Sequence, residues 1–294
     1  MEQRDWLATH FEAHRNHLRG VAYRMLGSRS EADDAVQEAW LRLSRADVGA
    51  VDDLRAWLTT VVARICLNLL RSRGTRREEP LGPHVPDPVV RREDGVDPER
   101  EALLAESVGL ALLVVLDELA PAERLAFVLH DSFGVSYGDI AAMVGRTPEA
   151  ARQLASRARR RVRDAAPVPD PDLARQREVV SAFFAATRAG DLGGLVALLA
   201  PDVILRADGG TARADVSVVA RGPRAVAEHS LRFAALAPFA RPALVNGAAG
   251  AVVAPDGRPF SVMSFTVTGG KIAAIDALVD PERLARLDLG ELDE

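Results

Sequence analysis

Two stretches of this 294-residue chain can be neither helix nor central strand. Residues 74–98, GTRREEPLGPHVPDPVVRREDGVDP, hold five prolines, and residues 164–172, DAAPVPDPD, hold three. Proline locks φ, lacks an amide hydrogen and pushes the residue before it out of the helical region. Such runs therefore read as extended connectors. They divide the chain into a segment at 6–73, a linker at 74–98, a segment at 99–165, a linker at 166–173 and a segment at 174–290. A chain of this length is expected to form two or three domains.

The first two segments carry helical periodicity throughout. From about residue 174 the pattern changes. Two helical stretches, 174–189 and 192–199, give way to alternating runs such as DVILRA, GAVVAP, FSVMSFTVTGG and KIAAIDALV. These read as strands of a mostly antiparallel sheet. The fold class is thus two all-α domains followed by an α+β domain.

Composition excludes several classes. No run of 18 apolar residues exists and the N-terminus lacks a basic start followed by an apolar run, so neither a membrane span nor a secretory signal is expected. A cytoplasmic protein is the expectation. Cys66 is the single cysteine, which excludes an internal disulfide and a cysteine-rich zinc site; it reads as a small buried hydrophobe. His130 and His229 stand alone, so no metal site is read, and no motif calls for a cofactor.

The formal net charge is −5, yet six of the twelve residues 152–163 are arginine. Upstream, SFGVSYGDIAAMVG holds a short helix with Ser136 and Asp139 at capping-box spacing and Ile140, Met143 and Val144 as its apolar face. Gly145 suits a left-handed stop. Thr147 then caps a second helix, Pro148 takes its first position and Glu149 meets its positive dipole end. Helix, glycine turn, helix is the helix-turn-helix layout, here over 136–163. Ala151, Leu154, Ala155 and Ala158 can pack inward, leaving Arg152, Gln153, Ser156 and Arg157 outward. The N-terminal half, beginning at Thr147 and Glu149, would enter a major groove, and distal arginines such as Arg160 would meet phosphates. A solvated basic face is the bland alternative for the arginines, but it does not explain the capped turn.

The first segment carries two contrasting faces. In SEADDAVQEAWLRL (30–43), Ser30 and Asp33 stand at capping spacing, and Val36, Ala39, Trp40 and Leu43 form a core stripe. Asp33, Asp34, Gln37 and Glu38 are left on the other side, an acidic face suited to a basic protein rather than to DNA. In LRAWLTTVVARICLNLLRSRGTRR, Leu58, Val61, Val62, Ile65 and Leu69 share one face, and Arg64, Asn68 and Arg71 share another. Arg73, Arg76 and Arg77 follow just beyond.

At this point a resemblance enters. LRGVAYRMLGSRSEADDAVQEAWLRL with LRAWLTTVVARICLNLLRSR resembles region 2 of extracytoplasmic-function (ECF) sigma factors of the sigma-70 family, and LDELAPAERLAFVLHDSFGVSYGDIAAMVGRTPEAARQLASRARRRVR resembles their region 4. The resemblance implies that core RNA polymerase and promoter DNA are the partners. It implies that Asp33, Asp34, Gln37 and Glu38 dock on the polymerase, and that Arg64, Asn68, Arg71 and Arg73 face the −10 element. The helix-turn-helix would then read the −35 element through Thr147, Glu149, Arg152, Gln153, Ser156, Arg157 and Arg160. A negative total charge would also limit non-specific affinity for DNA.

The third segment, from REVVSAFFAATRAGDLGGLVALLAPDVILRADGG, resembles SnoaL-like domains of the NTF2-like cone fold. One branch of the sigma family carries this extension, with a tryptophan-leucine-proline linker motif, a DGGGK motif and an NPDKL-like motif. This chain has GPHVPDPV (82–89), DGGTAR (208–213) and DPERL (280–284) instead. His84 stands at the tryptophan position, and Thr211 and Ala212 replace the third glycine and the lysine. The resemblance implies a regulatory contact among His84, Pro86, Asp208, Gly209 and Gly210.

Related folds include enzymes, so Asp202, Asp208, Asp215, His229 and Asp276 are candidates; each reads as a turn residue, cap or surface group, and no enzyme is expected. A small ligand of unidentified chemistry in this domain stays open. The competing reading of the whole chain is a stand-alone helix-turn-helix regulator with a ligand-sensing C-terminal domain. It does not account for the paired acidic and basic faces of the first segment.

Overall fold

The computed structural model describes residues 2–46, 53–75, 83–91 and 109–289. Arg76, Arg77, residues 92–108 and the end of the chain from 290 lie outside the described residues. The chain forms two compact units, one of residues 1–78 with 115–165, the other of 79–114 with 166–294.

In the first unit α1 (Glu2–Leu26), α2 (Arg29–Leu43) and α3 (Leu54–Thr75) pack on one another. Leu18, Val21, Met25, Val36, Leu43, Leu58 and Val62 are buried in this unit. Gly27 ends α1 at φ +71, a conformation that costs glycine little. Because that turn is complete at Gly27, α2 starts two residues later with Ser28 in the extended N-cap position. Ser30, expected to be the cap, instead sits in the first turn with its hydroxyl 3.1 Å from that of Ser28.

α3 differs from its sequence reading in one respect. Leu69, expected inward, is 38% exposed, whereas Ala63, Cys66, Leu67 and Leu70 are buried. A single apolar stripe was too narrow a reading, because α3 touches α1 and α2 and also the helices of the next segment. Cys66 is buried as expected, and burial pushes its thiol up to about 12.

That next segment comprises α4 (Leu110–Asp117), α5 (Pro121–Phe127), a π-helical turn (Val128–Ser132), α6 (Tyr137–Val144) and α7 (Pro148–Ala165). α5 and α6 each pack on α7 and on α3. α5, α6 and α7 thus share one compact unit with α1, α2 and α3.

The second unit is α+β. Its strands are β1 (Val90–Arg91), β2 (Leu199–Asp208), β3 (Val218–Arg221), β4 (Ala240–Val245), β5 (Ala248–Val253), β6 (Ser261–Thr268) and β7 (Lys271–Leu278). They form one sheet in the order β1-β4-β5-β6-β7-β2-β3, antiparallel except for the β2–β7 pair. Alternation sorts the side chains between two cores. Leu205, Phe265 and Ile275 meet Phe183 of α8 (Leu173–Ala189), Leu195 of α9 (Leu192–Leu198) and Val226 of α10 (Pro223–Leu231). Val245, Val252, Val262 and Leu278 face the other way, against Leu284 of a last helical turn, α11 (Pro281–Leu284). Helices thus cover one face of the sheet, an α+β arrangement.

Both proline-rich connectors are anchored to this unit. The Asp170 carboxylate accepts from the Gly269 and Gly270 amides at 2.8 and 2.9 Å, and its own amide donates to Val267 O. At the other connector, Val90 and Arg91 pair with β4, and the Asn246 side chain accepts from the Val89 amide at 3.0 Å. A free spacer does not make such bonds. Proline only removes its own donor; the intervening amides remain available to a sheet edge.

Candidate promoter, polymerase and regulatory surfaces

The helix-turn-helix forms as its capping residues dictate. Ser136 Oγ accepts from the Asp139 amide and donates to the Asp139 carboxylate at 2.6 Å. Gly145 closes α6 at φ +67, and Thr147 Oγ1 accepts from the Ala150 amide to open α7. Ala151, Leu154, Ala155 and Ala158 are buried, so Thr147, Glu149, Arg152, Gln153, Ser156, Arg157 and Arg160 are left exposed together. On α6, Ala141 rather than Val144 completes the buried face.

The arginines of α7 do different things. Arg159 is tied to Asp131 at 2.8 Å and to the Tyr137 hydroxyl at 3.3 Å, and these bonds raise its already high pKa further. Arg161 donates to Glu118 O, and Arg157 lies 3.3 Å from Glu123. Arg152 lies over the Tyr137 ring at 5.4 Å. Arg160 and Arg163 have no ion-pair partner among the described residues.

On α2, Asp33 and Asp34 are exposed beside Gln37, with Glu38 partly so. Asp33 pairs with Arg19 and Glu38 with Arg42, leaving Asp34 as the carboxylate without an ion-pair partner among the described residues. On α3, Arg64, Asn68 and Arg71 share an exposed face, and Arg64 Nη2 lies 3.4 Å from Ala142 O. Arg73 departs from this group: its guanidinium turns back onto Leu26 O and Glu31.

Sequence reasoning did not find Arg124. It is 1% exposed, donates to Arg24 O at 3.1 Å and to Asp117 at 2.6 Å, and so ties α5 to the end of α1. Burial lowers its pKa, opposed by Asp117. An isolated arginine among charged neighbours gives no signal for such a role.

The residues expected to make the regulatory contact form a compact cluster. Asp208 Oδ2 accepts from the Val85 amide at 2.9 Å and lies 3.5 Å from His84 Nδ1. Asp208 Oδ1 accepts from the Gly210 amide, an Asx-type turn. Arg283 binds Asp208 at 2.8 Å, Asp87 at 2.5 Å and Val85 O at 2.6 Å. Pro86 is buried between those contacts in sequence. Burial alone would raise the Asp208 pKa, but the His84 contact, the Val85 amide and Arg283 outweigh it and hold it below the usual carboxylate value. The two glycines permit close approach: a Cβ at Gly209 would meet Arg213 O at 2.1 Å, and one at Gly210 would meet the Asp280 carboxylate at 2.0 Å. Asp280 itself caps α11 and presents Arg283. Arg283 and Asp87 were not singled out in the sequence; their only signal was membership of DPERL and VPDP.

Among the enzyme candidates, Asp202 and Asp215 are surface residues as expected. Asp208 forms the turn expected of it but is buried, and Asp276 is not a surface residue. Asp276 is 1% exposed and pairs with Arg206 at 3.0 Å, and burial raises its pKa against the pull of that arginine. Strand alternation placed a carboxylate on a covered face, where only an ion pair makes it tolerable.

An acidic helix beside a basic one, followed by a capped helix-turn-helix, defines a promoter-recognition subunit of the sigma-70 class. Residues 10–76 match the Sigma-70 region 2 family model and residues 109–162 match that of Sigma-70, region 4. The chain is 42% identical, over 96% of its length and 94% of the relative's, to the ECF RNA polymerase sigma factor SigJ of Mycobacterium tuberculosis. SigI of the same organism is 38% identical over 99% of both chains. The crystal structure of Mycobacterium tuberculosis SigJ matches with a TM-score of 0.76 at 37% identity, covering 96% of this chain and 100% of that one. The chain belongs to the ECF RNA polymerase sigma factors, subunits that bind core RNA polymerase and promoter DNA and direct transcription initiation. A stand-alone regulator is not favoured, because the match includes region 2. Among the described residues no helix is long and apolar enough to cross a membrane.

Proposed function

We propose that the C-terminal unit of this sigma factor governs promoter engagement through the strip at 83–91. The observation that carries this is the Arg283 clasp on Asp208, Asp87 and Val85 O. Of the clasped residues, Val85 and Asp87 lie in sequence between the region 2 and region 4 matches, and Asp208 lies in the C-terminal unit. A tether held at one end by a folded domain limits the separations its flanking modules can reach. Those separations must suit the −35 to −10 distance.

Within that frame, Arg152, Gln153, Ser156 and Arg157 read base edges of the −35 element, Thr147 and Glu149 position the helix N-terminus, and Arg160 holds phosphate. Arg64, Asn68 and Arg71 face the −10 strand; the Arg73 contacts with Leu26 O and Glu31 support a positioning part in that face. Asp34, with Asp33, Gln37 and Glu38, docks on a basic surface of the polymerase. His84, Pro86, Asp208, Gly209 and Gly210 form the regulatory contact. The protein acts in the cytoplasm without catalytic activity of its own, and its C-terminal unit senses a small ligand.

In vitro transcription with core RNA polymerase tests the regulatory reading. Chains lacking 174–294, or only the tail from Asp280, should each differ from the full chain at equal core occupancy. Equal transcription by all three would overturn it.

A further inference from the structure

Tyr137 opens α6 and reaches across to α7, where it meets two arginines in different ways. Its hydroxyl accepts from Arg159 Nη2 at 3.3 Å. Its ring carries the Arg152 guanidinium 5.4 Å from the centroid. Positions 152 and 159 lie about two turns apart on one face of the helix, so a ring lying along α7 serves both. The two arginines are left with different capacities. Arg159 directs its N–H groups to the Asp131 carboxylate and to Tyr137. Arg152 makes no hydrogen bond or ion pair among the described residues, only the ring contact. An aromatic face attracts a guanidinium through its charge and leaves the N–H donors unused. The donor fork of Arg152 thus stays available at an exposed position in the N-terminal half of α7.

The tyrosine ring is itself held in place. The His130 ring stacks on it, with centroids 4.0 Å apart and planes inclined by 24°. His130 Nδ1 lies 3.0 Å from Val135 O; a carbonyl only accepts, so that nitrogen carries a proton and the ring cannot turn over without losing the bond. His130 and Asp131 both belong to the π-helical turn Val128–Ser132. Such a wide turn is uncommon and is found mostly at functional sites. Here it sets His130 against Tyr137 and Asp131 against Arg159.

We propose that Tyr137 is a positioning residue for −35 recognition: it holds the Arg152 guanidinium against its ring, set to donate to the paired acceptors of a guanine edge. The proposal rests on the reading of Arg152 as a base-edge contact. An arginine loose at the surface loses rotamer freedom when it grips a base. One already held over a ring has lost part of that freedom, so more of the contact appears as discrimination. Guanine is the base that fits. Its O6 and N7 are both acceptors, whereas adenine turns an amino donor toward a group that can only donate.

The test measures binding of holoenzyme, assembled from core polymerase and the full chain, to promoters that differ by one base pair at a time across the −35 element. Arg152→Ala first identifies the base pair whose discrimination that side chain supplies. Tyr137→Leu should then lower discrimination at that base pair by about twofold to fivefold and leave the ratios at the others unchanged. Tyr137→Phe keeps the ring and should keep the discrimination. In the Arg152→Ala background, Tyr137→Leu should add nothing at that base pair. If circular dichroism shows that Tyr137→Leu disturbs the fold, a ring-fluorinated phenylalanine at position 137 replaces it. Fluorination keeps the shape and removes the ring's pull on a cation, so the same selective loss is expected. An equal loss at every base pair, unaltered discrimination, or a selective loss in Tyr137→Phe would each overturn the positioning role. A uniform loss in Arg152→Ala would overturn the base-edge reading and the positioning role together. A selective loss in Arg152→Ala beside a uniform one in Tyr137→Leu would remove the positioning role alone.

Discussion

Replacing Arg283 by methionine keeps the length and apolar stem of the side chain and removes the guanidinium. Four hydrogen bonds go with it: two to Asp87 Oδ1, one to Asp208 Oδ2 and one to Val85 O. Two largely buried carboxylates then lose the cation between them, since the Asp87 and Asp208 side chains are 14% and 8% exposed. Removing one partner of a buried pair costs about 3–5 kcal/mol, and the 18% exposure of Arg283 argues for the lower end. At 1.4 kcal/mol per factor of ten, about 3 kcal/mol opens the strip roughly a hundredfold more often. Native-state hydrogen exchange at the Val85 amide, which donates to Asp208, reads this directly. Val89 should respond less, because Asn246 still accepts from its amide. Adding Asp208→Asn to the variant removes one stranded charge and should recover part of the protection. Unchanged Val85 exchange in Arg283→Met would refute the clasp. A further loss on adding Asp208→Asn would refute its electrostatic basis.

Arg152→Ala should cost about 1–3 kcal/mol of discrimination at one −35 position, whereas Arg160→Ala should weaken all promoters alike and flatten the salt dependence; binding of the holoenzyme to promoter variants at several salt concentrations separates the two. Charge reversal at Asp34 and Glu38 should weaken core polymerase binding with helical content unchanged, and near-normal affinity would move the docking face elsewhere. The Asp208 pKa is depressed in the folded chain, so its contribution is fully present above the ordinary carboxylate value, about 3.9, and is lost as pH falls through the lower folded value. Strip protection in the native chain should therefore fall below about pH 4, and Asp208→Asn should lack that step when Val85 exchange is followed against pH.

Much of this protein is written in local order. The Ser136, Gly145 and Thr147 signals specified the helix-turn-helix down to its four buried residues on α7. Those features depend on neighbours within a few positions, where capping bonds and periodicity operate. The acidic face of α2 was legible for the same reason. Tertiary structure decided what distant segments do to one another. Leu69 turned outward because α3 is packed on more than one side, and Arg124 became a buried tie to Arg24 O across a hundred positions. Asp208 read as a turn residue, which it is, but its buried pairing with Arg283 and Val85 joins residues 75 and 123 positions away. No local pattern encodes such a pair. The free energy of a buried charge depends on which cation and which amide the completed fold brings to it.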